Sequence, residues 1–140
     1  MGIGYRIDTT LDCAVVVWDG RVSAEEQVEH LLRLAADQQW PPGGFQLTDL
    51  TTVADVVLPD GDLVDALTEG MNVGERLETV IVVRADFLQG TWIDDAVKLR
   101  GAIPKPFSDL DRACAHLGVR TPAIRHTIAE IRRELERQGA

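Results

Sequence analysis

The chain has little aromatic content, few cysteines, no surplus of positive charge and no long apolar run. Aromatic side chains make up only 5% of its 140 residues. No apolar stretch approaches the roughly 20 residues that a membrane-spanning helix needs. The opening "MGIGYRID" lacks a basic segment followed by an apolar one, so a secretory signal is not expected. Gly2 is present, but Arg6 stands where an acylation signal wants Ser or Thr. The plain expectation is a cytoplasmic protein.

Cysteine occurs twice, as Cys13 in "DCAVVVW" and Cys114 in "RACAHL". Both apolar settings predict small core residues. Two such distant cysteines offer neither metal-ligand spacing nor a thioredoxin-type pair. The scarcity of positive charge is also uneven. The net charge is −9; from Arg120 onward five arginines face three glutamates, a local +2, and the preceding 119 residues carry −11. Nucleic-acid affinity depends on neutralising phosphates, so this acidic body argues against DNA or RNA. Anionic lipid headgroups would repel it too. A basic or neutral protein partner remains compatible, and much of the charge serves solubility.

Catalytic signatures are also missing. No phosphate-cradling glycine loop with its lysine occurs. His30, His116 and His126 lack a nearby nucleophile motif and are expected at helix surfaces or boundaries. No catalytic residue, metal or cofactor is therefore assigned. The length is enough for one domain with a core that needs no disulfide.

What is present is a regular alternation of elements. "GYRID" alternates like a half-exposed edge strand, "TTLD" supplies a turn, and "CAVVVW" reads as a central strand covered on both faces. In "SAEEQVEHLLRLAADQQW", Ser23 and Glu26 form a capping-box pattern. Val28, Leu31, Leu32 and Ala35 make the expected buried helix face. "PPGG" ends that helix, and "FQLTDL" is a strand with Phe45, Leu47 and Asp49 on one face. "PDGDLVDALTEGM" and "TWIDDAVKLRGAI" carry helical stripes, separated by the buried strand "ETVIVVRADF". "PKPF" suits only a short edge strand, since its prolines cannot donate ladder hydrogen bonds. "SDLDRACAHLG" is a short helix capped by Ser108 and ended by Gly118. The tail begins with Thr121 as cap and Pro122 in the first turn. Its stripe of Ile124, Ile128, Ile131 and Leu135 must pack on something, either the domain's own surface or a second subunit in a homodimer.

The order predicts an α/β fold: a mostly parallel sheet of four to five strands, flanking helices, and an antiparallel edge strand at the N-terminus. This order, with "YRID", "VVVWDGRVSAEE", "WPPGGFQLTDLTTV" and "PFSDLDRACAHLGV", resembles the SpoIIAA-like branch of the STAS superfamily, the anti-sigma-factor-antagonist fold. The resemblance spans residues 4–119 and implies a domain over 1–119, with residues 120–140 as an added amphipathic helix. It implies a binding or regulatory module rather than an enzyme. Regulatory members carry a phosphorylatable serine in an Asp-Ser-x-Gly motif; the matching region here, "TTVADVVLPDGDL", has none. Some relatives resemble lipid-binding Sec14-type domains, which implies a small hydrophobic ligand as the alternative. Trp18, Trp40 and Trp92 are expected in the core, or lining such a ligand's cavity.

Ligand sites of parallel sheets gather beyond the carboxyl ends of the strands. Asp19, Asp49 and Asp86 fall at such ends, with Thr51 and Thr52 just past Asp49. These five residues are the expected partner- or ligand-binding rim. The carboxylates could hold a hard cation, or accept hydrogen bonds from backbone amides in their turns. The threonines could take a phosphate or bond the local backbone. A further pattern resembles a phosphoacceptor receiver domain, with Asp49 as acceptor and "KPF" at 105–107 as its lysine motif. Against that, Asp19 is a single carboxylate where Mg²⁺ would need an acidic pair.

Overall fold

A tight turn opens the fold. Asp8 Oδ1 accepts the N–H groups of Thr10 (3.0 Å) and Leu11 (3.1 Å), and Asp12 adopts φ 51°, a left-handed conformation that aspartate tolerates better than most residues. The chain reverses there, so strand β1 (Ile3–Asp8) lies antiparallel to β2 (Cys13–Val22). The computed structural model describes residues 2–39, 45–56, 78–83 and 105–139. Helix α1 (Ala24–Ala36) follows β2, then β3 (Phe45–Val56), β4 (Glu78–Val82), β5 (Lys105–Phe107), α2 (Leu110–Leu117) and α3 (Thr121–Gly139). The helices expected within 59–71 and 91–103 lie outside the described residues, as do Trp40, Asp86 and Trp92.

The five strands are arranged in the order β1-β2-β3-β4-β5, with every pair after the first parallel. The expected α/β sheet with an antiparallel N-terminal edge strand is therefore present, and "KPF" does occupy the opposite edge.

Two apolar clusters flank the sheet. Alternate residues of β2 divide between them, as strand pleating requires. Cys13, Val15 and Val17 join Leu47, Val80 and Val82 in one cluster; Val16, Trp18 and Val22 join Leu50, Val53 and Ile81 in the other. Helices α2 and α3 cover the first cluster through Ala113, Cys114 and Leu117, and through Ile124, Ile128, Ile131 and Leu135. All four residues of the tail stripe are thus buried against the chain's own sheet. Each such aliphatic side chain contributes about 1.5–3 kcal/mol when fully buried, before the ordering entropy of the helix is subtracted. The approach is close: a Cβ on Gly4 of β1 would sit 2.7 Å from Ile131 Cγ2. Arg6 reinforces the contact by pairing with Glu130 and Glu134.

Both cysteines are fully buried and free, as expected. Burial pushes the Cys13 thiol up to about 12, with nearby Asp8 adding to the effect. Burial likewise raises Cys114.

Four sequence expectations need correction. Leu32, expected on the buried face of α1, is 48% exposed. Val28 is half-buried, and the side chains of Leu31 and Ala35 lie outside the described ones. Gln27, His30 and Leu34 are turned inward, so His30 is buried rather than at a helix surface. Contacts with β1 supply the reason. The Gly2 N–H donates to Glu26 Oε2 (2.6 Å), the His30 ring meets Tyr5 edge-on at 5.5 Å, and the Tyr5 hydroxyl donates to Asp37 Oδ2 (2.9 Å). Those positions recur along one side of a helix, so polar anchoring sets its rotation, and a hydropathy stripe does not score such anchors. Second, the N-cap of α2 is Asp109, whose carboxylate accepts the Asp111 N–H at 2.9 Å, not Ser108. Third, β2 does not end at Asp19 but continues to Val22, and β3 does not end at Asp49 but continues to Val56. Fourth, Thr121 is the first residue of α3 rather than its cap, since the Ile124 N–H donates to the Arg120 carbonyl at 3.4 Å. The Ser23 cap of α1 and the left-handed Gly118 that ends α2 are as expected.

Candidate functional site

The extension of β3 controls the geometry of the expected rim. Against β2, the register steps from Val17↔Asp49 to Asp19↔Thr52, and from Gly20↔Val53 to Arg21↔Asp55. At each step β3 advances one residue more than β2. These are two bulges, which are uncommon in parallel pairs and which re-aim side chains where they occur. Asp49 stands immediately before the first. Thr51 and Thr52 are consequently strand residues at a bulge rather than turn residues beyond a strand.

The bulge is held by Asp49 itself. Its Oδ1 accepts the Thr51 N–H at 2.8 Å and the Thr51 hydroxyl at 2.6 Å. Its Oδ2 accepts Nη2 of Arg132 at 2.8 Å, and the same Nη2 donates to Thr51 Oγ1 at 3.0 Å. Arg132 comes from α3, on the face beside Ile128, Ile131 and Leu135. The carboxylate is nearly inaccessible, with Asp49 only 5% exposed. Burying a charge is tolerable only with a counter-charge and filled hydrogen-bond sites, and Asp49 has both. Chemically, the group acts as an internal clamp that ties β3 to α3 across its own bulge.

The structure thus brings Asp49 and Thr51 together and adds Arg132, which the sequence reading did not single out. The signal was weak: one arginine among five in the tail, distinguished only by lying one position past a buried isoleucine. Asp19 and Thr52 face each other in register on β2 and β3; Asp19 is half-buried and Thr52 exposed. Thr52 Oγ1 makes a long bond of 3.5 Å to the Trp18 carbonyl. Phe45, Leu47 and Asp49 do share one face, as expected, since the first two belong to the cluster under α3. Among the described residues no group of three histidine, cysteine or carboxylate side chains converges as a metal site. Asp86 lies outside them.

The receiver-like reading of Asp49 does not survive this geometry. A phosphoacceptor must offer a free carboxylate oxygen to the phosphodonor and Mg²⁺, whereas Asp49 is buried mid-strand with both oxygens occupied. Of the three tryptophans only Trp18 is among the described residues, and it is not exposed to a cavity but 3% accessible. Trp18 packs within the second apolar cluster. A groove of about 330 Å³ runs instead between α1, β1 and α3, with Glu26, Glu29 and Glu134 on its walls. Its Tyr5 hydroxyl is pushed up to about 12, first by burial and then by Asp37, which accepts its hydrogen bond.

No protein-family model and no curated protein matches the chain. A solved structure does. It is an uncharacterised protein of the DUF3478 family from Shewanella loihica PV-4, described as having a SpoIIAA-like fold. The two share 24% sequence identity over 83% of this chain and 94% of that one, with a TM-score of 0.54. The fold is SpoIIAA-like. This agrees with the resemblance read from the sequence, and at such identity it speaks to architecture alone. Within the SpoIIAA-like fold described here, no helix of the described residues is long and apolar enough to cross a membrane.

Proposed function

We propose that the chain is a non-enzymatic binding module of STAS type that recognises a protein partner through the bulged end of β2 and β3. The observation that carries this reading is the Asp49–Thr51–Arg132 clamp. The best-placed carboxylate for chemistry is spent on holding backbone shape. A group used in that way presents a surface rather than a reactive atom. Asp19 and Thr52 are then the contact residues, with Asp49 and Thr51 as positioning residues behind them. Asp86, which follows β4 in sequence, is assigned to the same rim. The missing Asp-Ser-x-Gly serine means that recognition here works without the usual phosphorylation switch.

Capture of a partner from the native host, followed by titration of the purified pair, tests this proposal. Thr52→Glu and Asp19→Lys, each folded by circular dichroism, are expected to weaken the complex by about tenfold or more. Unchanged affinity in both variants overturns the rim as the contact face. A second arm addresses catalysis: incubation with a small phosphodonor and Mg²⁺ is expected to add no mass. A mass gain that Asp49→Asn abolishes would favour the aspartyl-phosphate reading instead.

A further inference from the structure

The outer edge of β1 is a second place where the sheet meets its surroundings. Among the described residues β1 is the last strand on its side of the sheet. Its register with β2, and the 2.7 Å bond from the Asp19 N–H to the Gly2 carbonyl, turn the backbone groups of Gly2, Gly4 and Arg6 toward β2. Alternation then turns the N–H and C=O groups of Ile3, Tyr5 and Ile7 outward. No described residue bonds to them. The groove between α1 and α3 runs along this edge, floored by Ile3, Gly4 and Tyr5.

The walls of the groove are acidic. Glu26 and Glu29 come from α1, and Glu134 from α3. Glu130 and Asp37 stand close by, bonded to Arg6 and to Tyr5. The guanidinium groups here are Arg33, paired with Glu29 at 2.6 Å, and Arg6, paired with Glu130 and Glu134. Glu130 also pairs with His126 at 2.7 Å. Five carboxylates therefore outnumber two guanidinium groups and one imidazole, all of them already engaged.

We propose that this edge docks an extended, basic segment of another protein, which adds to the sheet as a strand beyond β1. Outward N–H and C=O groups at every second residue match the main chain of an extended peptide and of nothing more compact. The surplus of carboxylate selects lysine or arginine on that peptide, while Ile3 and Leu135 offer apolar contact to the residues between them. A second copy of the chain fits poorly, because it would set acidic walls against acidic walls. The site adjoins the Asp19–Thr52 rim at Gly2 but reads different groups, the outward amides of Ile3, Tyr5 and Ile7, so either proposal can fail without the other.

The test titrates the isotopically labelled full chain with a short blocked peptide alternating lysine and valine. Saturable binding is expected, weakening as salt rises. Amide exchange at Ile3, Tyr5 and Ile7 should slow by about tenfold or more, while that at Gly4 and Arg6 stays as before. The same peptide with glutamate in place of lysine should not bind. Ile3→Pro removes one outward N–H at a position where an edge strand tolerates proline, and should weaken binding by about tenfold. Ile3→Ala, which keeps that N–H and gives up only apolar contact, should weaken binding less than Ile3→Pro does; an equal loss in the two variants would overturn the strand addition. If Ile3→Pro does not fold, N-methylation of the peptide on its β1-facing residues makes the same deletion from the other side. Four other results also overturn the proposal: no saturable binding, equal binding of the glutamate peptide, binding that leaves the three amides unprotected, or a free protein already dimeric through β1.

Discussion

The bulged end of β3 and the outer edge of β1 handle polar groups in opposite ways. At the first, a buried carboxylate has gathered every partner it can use: a backbone amide, a hydroxyl and a guanidinium from another element. At the second, no described residue bonds the outward backbone groups of β1, while the surrounding carboxylates bind nearby side chains or the Gly2 amide just before the strand. The lesson is that a conspicuous acidic residue at a strand end is not by itself a site. Its partners decide whether it faces inward, as structure, or outward, as recognition. Helix α3 takes part in both regions, contributing Arg132 to the clamp and Glu130 and Glu134 to the groove.

The contrast can be broken at several points. The largest effect is expected from Ile131→Ala, which empties a fully buried site under α3 and beside Gly4; about 2–5 kcal/mol of unfolding free energy should be lost in a denaturant titration. A loss of less than 1 kcal/mol, by the same scale, would mean that α3 is not docked as described. Next comes Asp49→Ala, expected to cost about 2–3 kcal/mol because it strands the Thr51 amide and the Arg132 guanidinium together. Arg132 is partly solvated, which keeps the figure below that of a fully buried pair. Glu29→Ala, which breaks an exposed pair on the groove wall, is the control and should cost about 0.5 kcal/mol or less. If the two carboxylates cost the same to remove, the distinction between clamp and groove is lost. Ser23→Ala lies between them, at about 1 kcal/mol for the lost α1 cap.

A smaller effect sharpens the same comparison through pH. The Tyr5 hydroxyl is raised to about 12 in the folded chain, above its ordinary value near 10. The unfolded chain therefore releases this proton first as pH rises. Tyr5 contributes stability that is present in full below about pH 10 and is lost progressively up to about pH 12. Buried Cys13, also raised to about 12, acts in the same direction. Stability should fall with alkaline pH, and Tyr5→Phe should make that fall shallower. An unchanged slope in Tyr5→Phe would mean that Tyr5 is neither buried nor bonded to Asp37 in solution.

Much of the architecture was legible because it follows from periodicity. The three consecutive valines of β2, the alternation of "YRID" and the four-residue stripe of α3 each declare which side must leave water. The two prolines of "PKPF" declared an edge strand just as directly. The errors fell where burial is set by polar partners. α1 looked as if it should turn Leu32 inward, yet Glu26, His30 and Asp37 meet β1 and hold the helix in another rotation. Asp49 was visible as a candidate, but its meaning depended on Arg132, which lies 83 positions later in the chain. No local pattern links those two residues.

From the amino-acid order alone follow the alternation of strand and helix, the burial of both cysteines, the acidic character of the chain and the amphipathic tail. These depend on hydropathy and charge at neighbouring positions, which the chain carries whatever its fold. Tertiary structure alone decided which carboxylate is spent and which edge is left open. Hydrogen-bond partners there come from elements far apart in sequence, and only the docking of α3 and α1 on either side of β1 brings them within reach.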